Sequence, residues 1–333
     1  MEAKTAPAPA PAAAALAAPR TGLRLSSRWA TLLVLAAVIG TIPWFFPSGF
    51  YFRVAALVWV TGLAAVGLQT LMGQAGQVSL GHAGFVGIGA YSMALGPKYL
   101  GLDVLLCLPL GAVVAAAIAF VVGRPILRLK GHYLAVATLG FGMLVTMVLV
   151  SEVGITGGPD GMRVPRAEIL GWRIRGGETF YWITGGALLI GVWIALNLQD
   201  SPSGRALAAL HDSEVAARTV GIDVAAHKLR AFVIAAVYGA VAGGLLALLN
   251  GFVTPDAAGF LASVEYVTMV VIGGLASVPG AVVGAALLVL LPQLLTVFHD
   301  YEHAVLGLMI MLFMIFLRVG IVPGLAALLR RRE

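Results

Sequence analysis

Charge is scarce in this chain. Asp, Glu, Lys and Arg together make up 11% of its residues, where a soluble domain carries about 25%. Its lysines are Lys4, Lys98, Lys130 and Lys228, and none of them ends a glycine-rich phosphate-binding run. The chain therefore does not hold ATP through a P-loop. The single cysteine, Cys107, excludes an internal disulfide framework and reads, within its apolar run, as a small buried hydrophobe. The hydrophobic runs are nearly free of ionisable groups, with Glu265 near one end and His82 as the exceptions. Proton- and ion-coupled carriers place such groups inside their spans, so this scarcity argues against that class. The first residues, "MEAKTAPAPAPAAAALAAP", lack the strongly apolar core of a cleaved leader.

What replaces charge is hydrocarbon. The chain has 333 residues, 60% of them hydrophobic, and a mean hydropathy of +0.98. It is expected to be an all-α polytopic helical bundle of the inner membrane. A span needs roughly 20 apolar residues, and about ten segments qualify, near 30–47, 51–71, 79–96, 103–123, 133–151, 181–198, 229–250, 262–277, 279–297 and 303–318. The third and eighth are short and interrupted by glycine. With the N-terminus inside, fifteen Lys and Arg fall on the cytoplasmic side and six on the outer side, which places both termini in the cytoplasm. The resulting organisation is a disordered Ala/Pro tail over 1–28, a transmembrane domain over 29–320 and a basic cytoplasmic tail over 321–333.

Two loops stand out by length. The outer one, 152–180, carries "TGGPDGM", which is turn chemistry, followed by residues suited to a short hairpin. The inner one, 199–228, has two helix starts. Ser201 is placed as N-cap with Pro202 at N1, a second start follows at Asp212 or Ser213, and Gly221 offers a left-handed stop. Two short surface helices are expected there. His299 and His303 have the spacing of a metal pair on a helix, but they fall beside Asp300 and Glu302 in an outer turn and read as a solvated cluster. No metal site is expected.

Glycine is abundant where side chain is missing. "GAVAG" (Gly239 to Gly243) and "GAVVG" (Gly280 to Gly284) permit close helix contact. Small residues recur four apart at Ala75, Ser79, Ala83 and Gly87, and again at Gly273, Ser277, Ala281 and Ala285. A pair of glycine-interrupted segments in the two halves of a chain points either to a pathway between internal repeats, with pseudo-symmetry, or to tight packing alone.

The stretch "GQAGQVSLGHAGFVGIGAY" (Gly73 to Tyr91) resembles the segment that marks permease subunits of branched-chain amino-acid ABC importers. "KGHYLAVATLGFG", "TGGPDGM", "SGRALAALHDSEVAARTVGIDVAAHKLRAFVIAA" and "SVEYVTMVVIGGLASVPGAVVGAALLVLLPQLL" are similar to the later signatures, in order, over roughly 55–320. The pattern is closer to the M-type than to the H-type subunit. The resemblance implies a transport subunit rather than an enzyme. Its implied partners are a second related permease, two cytoplasmic ATPases that carry the ATP and Mg, a periplasmic binding protein and the lipid bilayer, with no nucleic acid. It implies translocation-path positions at Gln77, Ser79, His82, Gly273 and Gly274. It also implies ATPase-coupling positions at Glu214, Ala216, Ala217 and Gly221, although this loop has one extra residue between the Glu and the Ala pair and no Leu-Pro downstream. Permeases for urea and short amides share these blocks and form the alternative substrate class, while an ion-coupled secondary transporter is the alternative mechanism.

Overall fold

A computed structural model describes residues 24–166, 168–169, 172–173, 176–275, 277–294, 307, 311 and 320–324. The elements along the chain are α1 (Arg24–Phe45), α2 (Gly49–Gln69), α3 (His82–Leu95), α4 (Val104–Ile126), α5 (His132–Ser151) and the single turn α6 (Val153–Thr156). Three short strands follow, β1 (Met162–Arg163), β2 (Glu168–Ile169) and β3 (Trp172–Arg173), then α7 (Gly177–Asp200), α8 (Pro202–Asp212), α9 (Glu214–Thr219) and α10 (Val224–Asn250). The described chain continues through β4 (Phe252–Val253), α11 (Phe260–Gly273) and α12 (Val278–Leu294). The expected tenth segment, 303–318, lies almost wholly outside the described residues, as do His299 and His303.

Among the described residues, six helices are long and apolar enough to cross a membrane. The segments α3, α11 and α12 are shorter, at 14, 14 and 17 residues. Fourteen helical residues rise only about 21 Å, against a hydrocarbon core of about 30 Å. A π-type turn over Gly96–Leu100 continues α3, and non-helical chain precedes α3 and follows α11 within the bundle.

The core is built on α2, α3 and α10. Most of α2 and α10 is buried, whereas α1, α4 and α5 turn most of their surface outward. That division follows the residues: α4 exposes Val113, Phe120 and Val121, and α5 exposes Val136, Leu144 and Met147, side chains that lipid solvates as well as protein does. Aromatic residues mark the ends. Trp29 and the 88%-exposed Trp44 sit at opposite ends of α1, about 22 Å apart along the helix axis, as expected for rings anchored in two interfacial belts. Tyr181 ties α1 to α7 by donating its hydroxyl hydrogen to the Ile39 carbonyl at 2.5 Å. Tyr238 of α10 wedges between α2 and α7 and donates to the Gly191 carbonyl at 2.7 Å.

The GxxxG patterns are contact surfaces. A Cβ at Gly243 would run into the backbone carbonyl of Val86, and one at Gly89 into that of Ala240, so α3 and α10 touch backbone to backbone. Gly239 faces the His82 ring, and Gly280 and Gly284 press on Gly273 and Met269 of α11. At the end of the molecule away from α8 and α9, β1 pairs antiparallel with β4, Met162 opposite Val253, closing the loop after α5 onto the loop after α10. The expected hairpin in the 152–180 loop is β2–β3, with Glu168 opposite Arg173.

Gly243→Ala should lower the stability of the detergent-purified protein by about 1–3 kcal/mol, because the methyl has no room against the backbone of α3. Gly140→Ala, where nothing lies within 4 Å on α5, should leave stability unchanged or slightly raised. Thermal unfolding of the two variants side by side checks the contrast.

Candidate functional site

The long helix α2 does not end cleanly. It widens into a π-type turn over Thr70–Gln74, and the chain then runs without helix from Ala75 to Gly81 before α3 begins at His82. This first break needs partners for its backbone donors, since hydrocarbon offers none. Gln77 N–H donates to the Leu71 carbonyl at 3.2 Å, Leu80 N–H to Thr138 Oγ1 at 3.0 Å, and Ala83 N–H to Ser263 Oγ at 3.1 Å. A Cβ at Gly81 would collide with the Thr138 carbonyl, so glycine lets α5 close over the break.

A second break separates α11 from α12. Gly274 takes a φ of 114°, and Ser277 caps the new helix by accepting from Gly280 N–H at 3.1 Å. The two breaks meet. Gln69 Nε2 donates to the Leu275 carbonyl at 3.2 Å, and a Cβ at Gly73 would fall on that same carbonyl. The two small-residue ladders, placed by the sequence in glycine-interrupted segments, are each cut by a break. Ala75 and Ser79 lie in the first break and only Ala83 and Gly87 on α3, while Gly273 ends α11 and Ser277 starts α12. Glycine density and polar groups outweigh the four-residue spacing because the backbone here bonds to other elements rather than to its own next turn.

All five expected path residues fall at these breaks, and all are buried. Gln77 donates to the Ala75 carbonyl at 3.0 Å. His82 is 1% exposed; its Nε2–H donates to the Ala64 carbonyl at 3.0 Å, and its ring meets Tyr266 edge-on at 5.8 Å. His82 thus pins α3 to α2 and α11. Sequence reasoning missed Gln69 and Gln74. Both are buried, and Gln69 Oε1, Gln77 Oε1 and both amide atoms of Gln74 have no hydrogen-bond partner. The signal was present as three glutamines, Gln69, Gln74 and Gln77, within one apolar run.

Beneath the first break sits the α8–α9 module. Ser201 and Ser213 cap its helices, accepting from Gly204 N–H at 3.1 Å and Ala216 N–H at 3.2 Å, so of the two expected second starts Ser213 is the one used. Gly221, with φ of 83°, closes α9 by a Schellman pair, Gly221 N–H to the Arg218 carbonyl and Ile222 N–H to the Ala217 carbonyl. The module is bounded by α7 and α10 at Asp200 and Val224, so Lys228, expected at the edge of the loop, belongs to α10. Its ammonium is buried and bonded to Glu214, whose other oxygen lies 3.8 Å from Lys130 Nζ. The His211 ring lies against Gly76, and Leu207 packs with Leu71 and Ala75. The four expected coupling positions divide by environment. Ala217 is buried with Leu210 and Val224, and Glu214 is turned inward to Lys228. Ala216 and Gly221 are exposed, beside Val215 and Val220 at 73% and 74% exposure.

Comparison with known proteins gives this geometry a context. The family described as the permease component of branched-chain amino acid transport systems matches residues 50–315. The chain belongs to this family. It is 33% identical over 317 residues to the high-affinity branched-chain amino acid transport system permease protein LivM of Salmonella typhimurium, covering 88% of this chain and 75% of that protein, and equally to LivM of Escherichia coli. It is 25% identical over 283 residues to the corresponding LivH protein of Salmonella typhimurium, covering 78% of this chain and 90% of LivH. The closer likeness to LivM agrees with the M-type pattern in the sequence. No solved structure matches the chain.

In this permease component the two breaks, their glutamines and the module below form one connected unit. The Lys228–Glu214 pair fastens α9 to α10. Lys228→Met should therefore destabilise the protein by about 3 kcal/mol, because it strands a carboxylate that is mostly covered. Adding Glu214→Leu should restore most of that loss. A double-mutant cycle on thermal stability reads the coupling.

Proposed function

We propose that this chain is one permease subunit of an ATP-driven importer of branched-chain amino acids. It would work beside a second, LivH-like permease, with two cytoplasmic ATPases that bind ATP and Mg²⁺ and a periplasmic protein that delivers the solute. Membership of the family supports the transport role. The observation that carries the mechanism is the seating of α8 directly on the first break, through His211 against Gly76 and Leu207 against Leu71 and Ala75. A force applied to α9 has a short route through packed side chains to the place where α2 and α3 separate. From there it passes through the Gln69–Leu275 bond to α11 and α12.

In this reading the α8–α9 face is cytoplasmic, both termini are inside and the membrane is the inner one. The exposed Val215, Ala216 and Val220 form a small apolar knob suited to a groove on an ATPase. Ala217 and Glu214 hold that knob to α10. Closure of the ATPases would tilt the module as a rigid body and move the two breaks, which would give alternating access with no ionisable coupling group at the breaks but the committed His82. The buried amides of Gln69, Gln74 and Gln77, with unmet hydrogen-bond capacity, are the groups best placed to receive water or a polar part of the solute.

Reconstitution of the full set of subunits in liposomes tests the reading. Leucine uptake should require ATP, and Ala216→Arg should lower it at least about tenfold while the protein stays folded and loses its ATPases on purification. Ala217→Trp should instead fail to fold, because Ala217 is 1% exposed. Uptake driven by an ion gradient without the ATPases would overturn the proposal in favour of a secondary carrier. ATP-driven uptake of urea but not of leucine would move the substrate to short amides.

A further inference from the structure

On the flank of the α8–α9 module, where α4 ends, a cavity of about 550 Å³ opens between α4, α9 and α10. Its walls carry Arg124, Arg128, Lys130, Arg218 and Lys228 against one carboxylate, Glu214. That carboxylate is already engaged by Lys228 and, at 3.8 Å, by Lys130. Arg124, Arg128 and Arg218 have no carboxylate partner among the described residues. All three side chains are exposed, so water and counter-ions screen them, but with five cations against one carboxylate the cavity favours an anion.

Its surroundings say what completes it. Arg124 is held with its guanidinium 4.1 Å from the centroid of the Phe120 ring. One turn further into the membrane, α4 exposes Phe120 and Val121, and then Val113 and Val114 beyond them, as a continuous apolar face. On the other side Leu129 and Tyr133 are exposed at the start of α5. The cavity therefore lies at the level where a helix leaves hydrocarbon for water, with a basic head region and an apolar wall running up from it. An anion with two acyl chains fits both parts, whereas a free phosphate uses only the basic part. A docked protein would be expected on the apolar knob of Val215 and Val220, not on the lipid-facing flank of α4.

We propose that this cavity binds the phosphate headgroup of an anionic phospholipid, with its acyl chains along the exposed face of α4. Bound there, the lipid would neutralise the three arginines and brace α9 against α4 beside the Lys228–Glu214 pair. The inference depends on the membrane setting and on these residues, and it is independent of the transported solute.

Native mass spectrometry of the full-length chain, with the subunits that co-purify, tests the proposal in detergent supplemented with phosphatidylglycerol or phosphatidylcholine. Wild type should retain phosphatidylglycerol in preference to phosphatidylcholine. Arg124→Gln/Arg128→Gln should weaken that retention about 25-fold, at roughly a fivefold loss per removed charge, while Lys98→Gln at the opposite end should leave it unchanged. Neither replaced arginine has an internal carboxylate to lose, and size-exclusion elution confirms folding; if the double variant fails to fold, Arg128→Gln alone and the wild-type preference decide. Equal retention of the two lipids by wild type, or unchanged retention by the variant, overturns the proposal. Protection by inorganic phosphate or glycerol phosphate with no lipid retained would assign the cavity to a soluble anion. Loss of the ATPases from the variant with lipid retention intact would assign it to a protein partner.

Discussion

Non-helical backbone cannot face lipid, and the arrangement of this permease component follows from that constraint. The chain leaves the helical path within the bundle twice, over 75–81 and again at Gly274, Leu275 and Ser277. Each is tolerable only where protein supplies the hydrogen bonds that a helix would have made. The cover over one break is partly the other break, through Gln69 and the Leu275 carbonyl. The rest comes from the hydroxyls of Thr138 and Ser263. Glycine is what lets these covers approach, since a side chain at Gly73 or Gly81 would meet a carbonyl oxygen. The packing of α5, α10, α11 and α12 around α2 and α3 is the consequence of covering two breaks at once.

The same constraint gives the site its mechanical character. A continuous helix resists bending along its length, but a helix that opens through a π-type turn into extended chain can pivot there. The π-type turn at Thr70–Gln74 sits on α8, which is capped by Ser201 and fastened through α9 to α10 by a covered ion pair. Such a pair contributes little net stability over an apolar contact, yet it fixes geometry, because an orphaned charge is costly in any alternative arrangement. Under the proposed function, the rigid module, covered clasp and π-type turn would serve as the parts of a rocking transition.

Much of this was legible in the residues. Composition identified the membrane bundle, and Ser201, Pro202 and Gly221 marked the α8–α9 module, because caps and left-handed stops are local properties of the chain. The glycine-rich segments were recognisable as interruptions, but the four-residue spacing of the ladders at Ala75 and Gly273 did not show where the helices stop. Periodicity records only what a helix would align; it does not record that Thr138 and Ser263, from distant helices, compete successfully for the backbone. The partnership of Glu214 with Lys228 was likewise invisible, since both residues read as polar members of a loop. Gln69 and Gln74 were passed over for a related reason. Their clustering with Gln77 in one apolar run was visible, but spacing alone did not show that folding leaves these amides buried with unmet hydrogen bonds.

Under the proposed function, the chemistry gathered at the breaks also constrains what a path through them would recognise. A branched-chain amino acid carries an ammonium, a carboxylate and an apolar side chain, and tight binding of such a zwitterion uses opposite charges or helix ends directed at each group. The described break residues offer neutral amides from Gln69, Gln74 and Gln77, a hydroxyl from Ser79, and apolar groups such as Val78 and Leu275, both 43% exposed. His82 is committed to Ala64. Neutral donors and acceptors can exchange with the hydration shell of a zwitterion at small free-energy difference, because each bond lost to water is replaced by one of similar strength. A path built this way favours passage over retention. Under the proposed function, discrimination among solutes would then be made before the solute arrives, by a partner that closes around it, and a delivery protein with an external source of energy would suit helices that carry so little charge.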